Sequence, residues 1–173
     1  MTRRCGFRVR EVFATIARPR SRGPAALGPR MKRTTFASAQ DVEQAFYEAL
    51  ERADLEGMME VWADDEEVVC IHPGGPRLAG YDRVRESWTQ IFASRQRLQV
   101  RTSDQRVVQG MMFAIHSLHE NLTVVGENRP RPPVAVTNVY VRTGNGWRMV
   151  SHHASPAPGV PVEAPAEGPK ILH

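Results

Sequence analysis

Three segments of the chain carry apolar residues at the three- and four-residue spacing of amphipathic helices. The stripes consist of Val42, Ala45, Phe46, Ala49 and Leu50, then of Leu55, Met58, Met59 and Trp62, and finally of Val84, Trp88, Ile91 and Phe92. Ser38 and Asp41 form a capping-box pattern before the first stripe, and Asp54 is a candidate N-cap for the second. We therefore predict three helices, the third beginning after Gly80, each with one buried face.

Runs typical of β-strands occupy residues 68–72, 98–109, 112–125 and 134–155. The last run contains Asn145-Gly146, the strongest short-range signal for a β-hairpin. The prolines and glycines of residues 73–76 end the first run because they prevent regular strand pairing. The order of elements predicts an α+β domain with a mostly antiparallel sheet.

The strand at residues 112–125 has two different faces, because successive side chains point to opposite sides of a sheet. One face carries Phe113, Ile115, Ser117, His119 and Asn121, and the other carries Ala114, His116, Leu118, Glu120 and Leu122. We assign the first face to the concave, pocket side. The second face then belongs to an exposed convex patch that pairs two copies as a homodimer, with Val107, Ala114, Leu118, Leu122, Val139 and Val141.

The final hairpin brings either His152 or His153 to the pocket side. A two-residue Asn145-Gly146 loop pairs Asn138 with His153 and Tyr140 with Ser151, whereas a three-residue loop selects His152. We prefer His153, because this register places Trp147 and Met149 inside and leaves Arg148 outside.

The charge of the chain is unevenly distributed. Residues 1–30 hold eight arginines and one acid, which leaves 15 basic and 18 acidic residues in the remainder. A mildly acidic body predicts no nucleic-acid surface on the folded domain. The two cysteines, Cys5 and Cys70, cannot form a disulfide framework, and no apolar run is long enough to span a membrane. We expect a cytoplasmic protein, or an organellar one if the basic segment is a transit peptide.

We expect three regions along the chain. Residues 1–30 form a basic, disordered extension, for which an upstream extension with translation starting at Met31, a transit peptide and a nucleic-acid- or lipid-binding arm are alternatives. Residues 31–158 form the domain. Residues 159–173 form a Pro-rich disordered tail.

The stretches ADLEGMMEVWADDEEVVCIHPGGPRLAGYDRVRESW (residues 53–88) and GWRMVSHHASPAP (residues 146–158) resemble the SnoaL-like group of the nuclear transport factor 2-like superfamily. The second stretch and GENRPRPP (residues 126–133) are also similar to the end of the calcium/calmodulin-dependent kinase II association domain. The resemblance implies a cone-shaped α+β fold, in which three helices pack on a strongly curved sheet around one cavity. It does not imply one function, because the superfamily includes isomerases, cyclases, dehydratases, ligand-binding subunits and assembly domains.

The resemblance suggests two kinds of function. The first is a module that binds a small molecule in the cone without a cofactor, with the candidate ligand-binding residues His72, Trp88, Ser117, Asn121, Asn138 and His153. The second is an isomerase, cyclase or dehydratase in which His119 acts as the base and Tyr140 as the hydrogen-bond donor. His72, His119 and His153 come from three strands and could bind zinc only if they converged, and no His-x-His or Cys-x-x-Cys motif supports that. We therefore predict no metal site.

Overall fold

A computed structural model describes residues 33–127 and 131–157. It contains three helices, α1 (Ala39–Arg52), α2 (Leu55–Val61) and α3 (Tyr81–Ala93). The capping box at the start of α1 is confirmed: the backbone amide of Asp41 donates to Ser38 Oγ at 3.1 Å, and the backbone amide of Ser38 donates to Asp41 Oδ2 at 2.9 Å. Asp54 caps α2 by accepting from the backbone amide of Gly57 at 3.0 Å.

The strands form one sheet of six. They are β1 (Val69–Ile71), β2 (Arg77–Ala79), β3 (Leu98–Gln109), β4 (Phe113–Val124), β5 (Val134–Thr143) and β6 (Gly146–Pro156), in the order β2-β1-β6-β5-β4-β3. Only β1 and β6 are parallel among the pairs of these strands, so the mostly antiparallel sheet is confirmed. The short β2 was not predicted, because residues 73–76 separate it from β1 and it has only three residues.

The helices cover one face of the sheet, and the hydrophobic core lies between them. Phe46 of α1 and Trp88 of α3 are buried and meet edge to face, with ring centroids 5.6 Å apart. Trp62, which follows α2, pairs with Met149 of β6 and is also buried. The face of the sheet that contacts these helices is called the inner face below, and the opposite one the outer face.

The inner face of β4 is the reverse of the predicted one. Ala114, His116, Leu118 and Glu120 are buried, whereas Ser117 is exposed. The physical reason is that α1 carries hydrogen-bonding partners for His116 and Glu120, so burial of these polar groups is compensated. The predicted convex apolar patch is therefore wrong in three members, Ala114, Leu118 and Leu122, because Leu122 shares this face and packs against the cluster that contains Leu118.

The predicted register of the final hairpin is wrong by one or two residues. Gly144 and Asn145 form the loop, and Thr143 pairs with Gly146. This register continues to Tyr140, which pairs with Met149, and then shifts at a β-bulge. A bulge adds one residue to one strand and is not visible in an alternating pattern. As a result, the residue that pairs with Asn138 is His152 and not His153.

The segment before α1 lies along β6. The backbone amide of Trp147 donates to the carbonyl of Phe36 at 3.0 Å, and the buried Arg148 donates to the carbonyl of Thr34 at 2.6 Å. Gly146 permits this approach, because its φ is 91° and an added Cβ would lie 2.5 Å from the Phe36 carbonyl oxygen.

The predictions for residues 1–30 and 159–173 concern parts of the chain outside the described residues. Part of the predicted loop at residues 126–133 is also outside them. Within residues 33–127 and 131–157, none of the helices has the length and apolar character that a membrane span requires.

Candidate functional site

Three polar side chains lie side by side on the inner face of the central strands. His116 of β4 pairs with Asn138 of β5, which pairs with His152 of β6. All three are buried. Because alternation places paired residues of adjacent strands on the same face, this row points towards the helices. Buried polar groups in such a row require partners, and α1 supplies some of them.

Glu43 is the polar residue that α1 adds to the row. It lies beside the apolar stripe of α1 and is itself buried. Its Oε2 is 2.8 Å from His116 Nδ1 and accepts a hydrogen bond from the Tyr140 hydroxyl at 3.1 Å. Its Oε1 accepts from Gln105 Nε2 of β3 at 2.5 Å. Three strands and one helix thus meet at a single carboxylate.

This geometry suits proton transfer by His116. A carboxylate at Nδ1 holds the Nδ1–H tautomer, so that Nε2 is the ring nitrogen that can take a proton from a bound molecule. His116 and Tyr140 also stack at a tilt, with ring centroids 4.8 Å apart. The Tyr140 hydroxyl is committed to Glu43, and burial together with the charge of Glu43 raises the pKa of Tyr140 well above its usual value.

A second contact between α1 and β4 lies four residues further along both elements. The Tyr47 hydroxyl donates to Glu120 Oε1 at 2.9 Å. Burial raises the pKa of Glu120 to about 7, and the negative charge of Glu43 contributes to the shift. Burial also raises the pKa of the Tyr47 hydroxyl. Glu120 therefore exchanges its proton near neutral pH.

Asn138 has one satisfied and one unsatisfied polar atom. His152 Nδ1 lies 2.7 Å from Asn138 Oδ1. Asn138 Nδ2 is buried and makes no hydrogen bond of ordinary geometry to a described residue, although the Asn138 side chain faces the Tyr140 hydroxyl closely enough to lower the pKa of that phenol. Burial lowers the pKa of His152 to about 3, and the neighbouring His72 and His153 add to this shift. His152 is therefore neutral at physiological pH.

His72 completes the polar interior at the end of β1. Its Nε2 is 3.2 Å from Ser87 Oγ of α3, and its ring meets Trp88 edge to face at 4.8 Å. Burial lowers the pKa of His72 to about 4, so this imidazole is also neutral. Burial raises the pKa of the nearby Cys70 thiol, which disfavours a nucleophilic thiolate.

The structure brings four of the sequence-predicted site residues into the interior. They are His72, Trp88, Asn138 and Tyr140, all of which are buried. Their orientation could be predicted because Trp88 belongs to a helical stripe, and Asn138 and Tyr140 share a strand face with Val134 and Val136. Their roles in binding or catalysis stay predictions.

The other four predicted residues lie on the outer face, away from the row. His119 Nδ1 is 3.3 Å from Asp104 Oδ2 of β3, and Asn121 Nδ2 donates to Ser103 Oγ at 3.0 Å. Ser117 and His153 are exposed. The assignment of His119 as an interior base is wrong, because the opposite face of β4 is the buried one. His153 is turned outward by the register of the final hairpin, so His72 does not converge with His119 and His153 as a zinc site would require.

Sequence reasoning missed the polar residues that α1 and the buried face of β4 contribute. They are Glu43, Tyr47, His116 and Glu120, to which β3 adds Gln105. His152 was the alternative to the preferred His153. One signal was available for the first two: Glu43 and Tyr47 are one helical turn apart and flank Val42 and Phe46 on the buried stripe. No signal in the sequence shows the bulge that turns His152 inward.

The comparisons with known proteins agree with the sheet and helix arrangement. The SnoaL-like domain model matches residues 40–159. The chain belongs to the SnoaL-like domain family. Its cone-shaped α+β fold is the nuclear transport factor 2-like fold, as the sequence resemblance implied.

Two solved structures are similar to this chain in both sequence and fold. A protein of Thiobacillus denitrificans, assigned as a calcium/calmodulin-dependent protein kinase type II association domain, is 41% identical, with a TM-score of 0.66 over 72% of this chain and 99% of that chain. A protein of Streptomyces avermitilis, assigned as a dehydratase of the NTF2-like family, is 34% identical, with a TM-score of 0.59 over 67% of this chain and 91% of that chain.

A curated relative is the F-box protein SKIP8 of Arabidopsis thaliana. It is 30% identical over 116 residues, which make up 66% of this chain and 47% of that protein. The SnoaL-like chain thus spans about half the length of this relative.

Proposed function

We propose that the chain is a SnoaL-like module that binds a small molecule at the polar row of the inner face. The observation that carries the proposal is the buried amide nitrogen of Asn138, which makes no hydrogen bond of ordinary geometry to a described residue and has only the neighbouring Tyr140 hydroxyl near it. An unsatisfied buried donor costs about 1–3 kcal/mol, and a ligand that accepts from it would recover this free energy. The neighbouring His116 and Glu43 offer further polar contacts to the same ligand.

Thermal denaturation against a panel of metabolites tests this proposal. A ligand at 100 times its Kd adds about 2.7 kcal/mol to the free energy of unfolding, which is readily detected as a rise in Tm. Asn138→Asp changes the unsatisfied nitrogen to oxygen and keeps the acceptor for His152. Thr137→Asp adds the same group at the adjacent, exposed position and is the matched control.

The proposal predicts that stabilising compounds lose most of their effect in Asn138→Asp and keep it in Thr137→Asp. Compounds that stabilise both variants equally would show that the ligand binds elsewhere. A panel in which nothing stabilises the wild-type protein would argue against ligand binding.

A second candidate function is an isomerase, cyclase or dehydratase, and the contact between Glu43 and His116 favours it. Here His116 takes a proton from the substrate and returns it. Glu43 positions the imidazole ring of His116, and the Tyr140 hydroxyl donates a hydrogen bond that holds Glu43 in place. The Streptomyces relative that is assigned as a dehydratase supports this class of reaction. This assignment replaces His119, which lies on the outer face.

The enzyme candidate is tested with any compound that the protein converts. His116→Gln should lower kcat by about 100-fold or more, because it removes the proton acceptor. His119→Gln is the matched control and should keep wild-type turnover, since this residue contacts Asp104 on the outer face. Equal turnover in wild type and His116→Gln would contradict the candidate.

We also propose that two or more copies associate. Exposed apolar residues are concentrated where β3 turns into β4, and they are Val107, Val108, Met111, Met112 and Phe113. The Thiobacillus relative, which is assigned as an association domain, supports self-association. Light scattering on wild type and Phe113→Glu tests it: the wild type should elute as an oligomer and the variant as a smaller species. A monomeric wild type would contradict it.

Two further expectations remain proposals. We propose that the domain spans residues 31–158, which is supported by the family match to residues 40–159. We also propose a reducing compartment such as the cytoplasm, and the free, buried thiol of Cys70 supports it. Mass spectrometry of the mature chain and microscopy of a tagged chain would test them.

A further inference from the structure

The interior of the domain offers little positive charge to a ligand. Arg148 is the only arginine or lysine that is buried within the described residues. Its guanidinium donates to the carbonyls of Thr34 and Trp147 and lies 5.2 Å from the ring centroid of Phe36. Strand alternation places it on the face opposite Met149, which belongs to the interior. Arg148 is therefore committed to the segment before α1.

The buried histidines do not replace this missing charge. His72 and His152 are neutral at physiological pH, because burial lowers the pKa of each far below its usual value. His116 already has an acidic partner, because its Nδ1 lies 2.8 Å from Glu43 Oε2. No buried cation on the inner face of the described sheet is thus left to pair with an anion.

The interior instead contains two carboxyl groups, Glu43 and Glu120. Glu43 accepts from three side chains, and Glu120 accepts from Tyr47. Burial raises the pKa of Glu120 to about 7, so the carboxyl can remain neutral without a cationic partner. A second anion brought into this space would be desolvated and repelled. These carboxyl groups would attract a cation, but an ammonium group has only N–H donors and could not accept a hydrogen bond from Asn138 Nδ2.

We infer that the ligand of this interior is an uncharged molecule that presents a carbonyl, amide or ether oxygen to Asn138 Nδ2, and that carboxylates and phosphates are excluded. This inference rests on the proposed binding function and adds the chemical class of the ligand. The N–H donor of Asn138 attracts the acceptor oxygen of the ligand, and the carboxyl groups of Glu43 and Glu120 disfavour the binding of anions.

Three probes with the same six-membered carbon ring and different charge test the inference. Cyclohexanone is neutral with an acceptor oxygen, cyclohexanecarboxylate is anionic and cyclohexylamine is cationic. Their dissociation constants are measured by calorimetry and their Tm shifts by scanning fluorimetry at pH 8. Cyclohexanone should bind at least about tenfold more tightly than cyclohexanecarboxylate, because burial of an unpaired carboxylate is costly, and more tightly than cyclohexylamine, because an ammonium group has no acceptor for Asn138 Nδ2.

Glu120→Gln provides a second arm, because it removes one interior negative charge while keeping an acceptor for Tyr47. It should reduce the preference for cyclohexanone over the carboxylate by several-fold at pH 8. Glu86→Gln, on the exposed side of α3, is the matched control and should leave the preference unchanged.

The outcomes separate this inference from the proposed function. One outcome would overturn the inference and leave ligand binding intact. In it, a charged probe or metabolite stabilises the wild type as strongly as neutral compounds do, and this stabilisation is lost in Asn138→Asp. No stabilisation by any probe or metabolite would overturn both. Preference for the ketone that depends on Asn138 would support both.

Discussion

The pH dependence of stability can be calculated from three buried groups with opposing effects. His72 and His152 have folded-state pKa values of about 4 and about 3, below the usual 6.5. The folded protein therefore binds fewer protons than the unfolded chain, and stability is lost as pH falls below 6.5. At pH 5, which is 1.5 units below the unfolded pKa, each histidine costs about 2 kcal/mol relative to pH 7.

Glu120 has the opposite sign. Its folded-state pKa of about 7 lies above the usual 4.5, so the folded protein takes up a proton before the unfolded chain does. Stability from this group rises as pH falls from 7 towards 4.5, by about 2 kcal/mol at pH 5. Together, the three groups lower the free energy of unfolding by about 2 kcal/mol between pH 7 and pH 5.

Glu120→Gln is the perturbation that tests this calculation. Glutamine mimics the protonated carboxyl and cannot titrate, so the variant should lose about 4 kcal/mol between pH 7 and pH 5, twice the loss of the wild type. Urea denaturation at both pH values and constant ionic strength measures the difference, because all other groups are common to the two proteins. Glu86→Gln, which changes an exposed carboxylate on α3, should follow the wild type. Parallel curves for wild type and Glu120→Gln would refute the reasoning.

Two further substitutions probe the backbone and the carboxylate cluster. Gly146→Ala should lower the free energy of unfolding by about 2 kcal/mol or more, because its φ is 91° and the new Cβ would lie 2.5 Å from the Phe36 carbonyl oxygen. Gly144→Ala, where nothing lies within 4 Å, should change it by less than about 0.5 kcal/mol, and equal effects in urea denaturation would contradict this account. Tyr140→Phe removes one hydrogen bond to the buried Glu43 and should cost about 1–3 kcal/mol in the same assay, whereas an unchanged midpoint would mean that this bond contributes nothing.

The elements of the fold could be predicted from local patterns, because their signals lie within a few residues. The capping box at Ser38 and Asp41, the cap at Asp54 and the apolar stripes determine the helices. The strand Leu98–Gln109 has the predicted bounds. Regular alternation identifies strands in the same way, whether or not their two faces are assigned correctly.

The faces and the register were harder to predict, because they depend on contacts between distant residues. Both faces of β4 carry apolar and polar groups, and the partners that allow His116 and Glu120 to be buried, Glu43 and Tyr47, lie on the distant helix α1. The bulge in β6 shifts the register by one residue, so that His152 points to the inner face. The alternation of apolar and polar residues does not reveal this bulge. These two effects explain why the predicted site contained Asn138 and Tyr140 but lacked their closest polar neighbours.

The most direct test of ligand binding in the interior is the NMR signal of the Asn138 side-chain amide. Its two N–H resonances can be assigned by their disappearance in Asn138→Asp, and the amide of Asn121, which donates to Ser103 on the outer face, is the internal control. Addition of a stabilising neutral compound should shift the Asn138 signals in a saturable manner and leave those of Asn121 in place. Saturable shifts of Asn121 with unchanged Asn138 signals would contradict a binding site on the inner face.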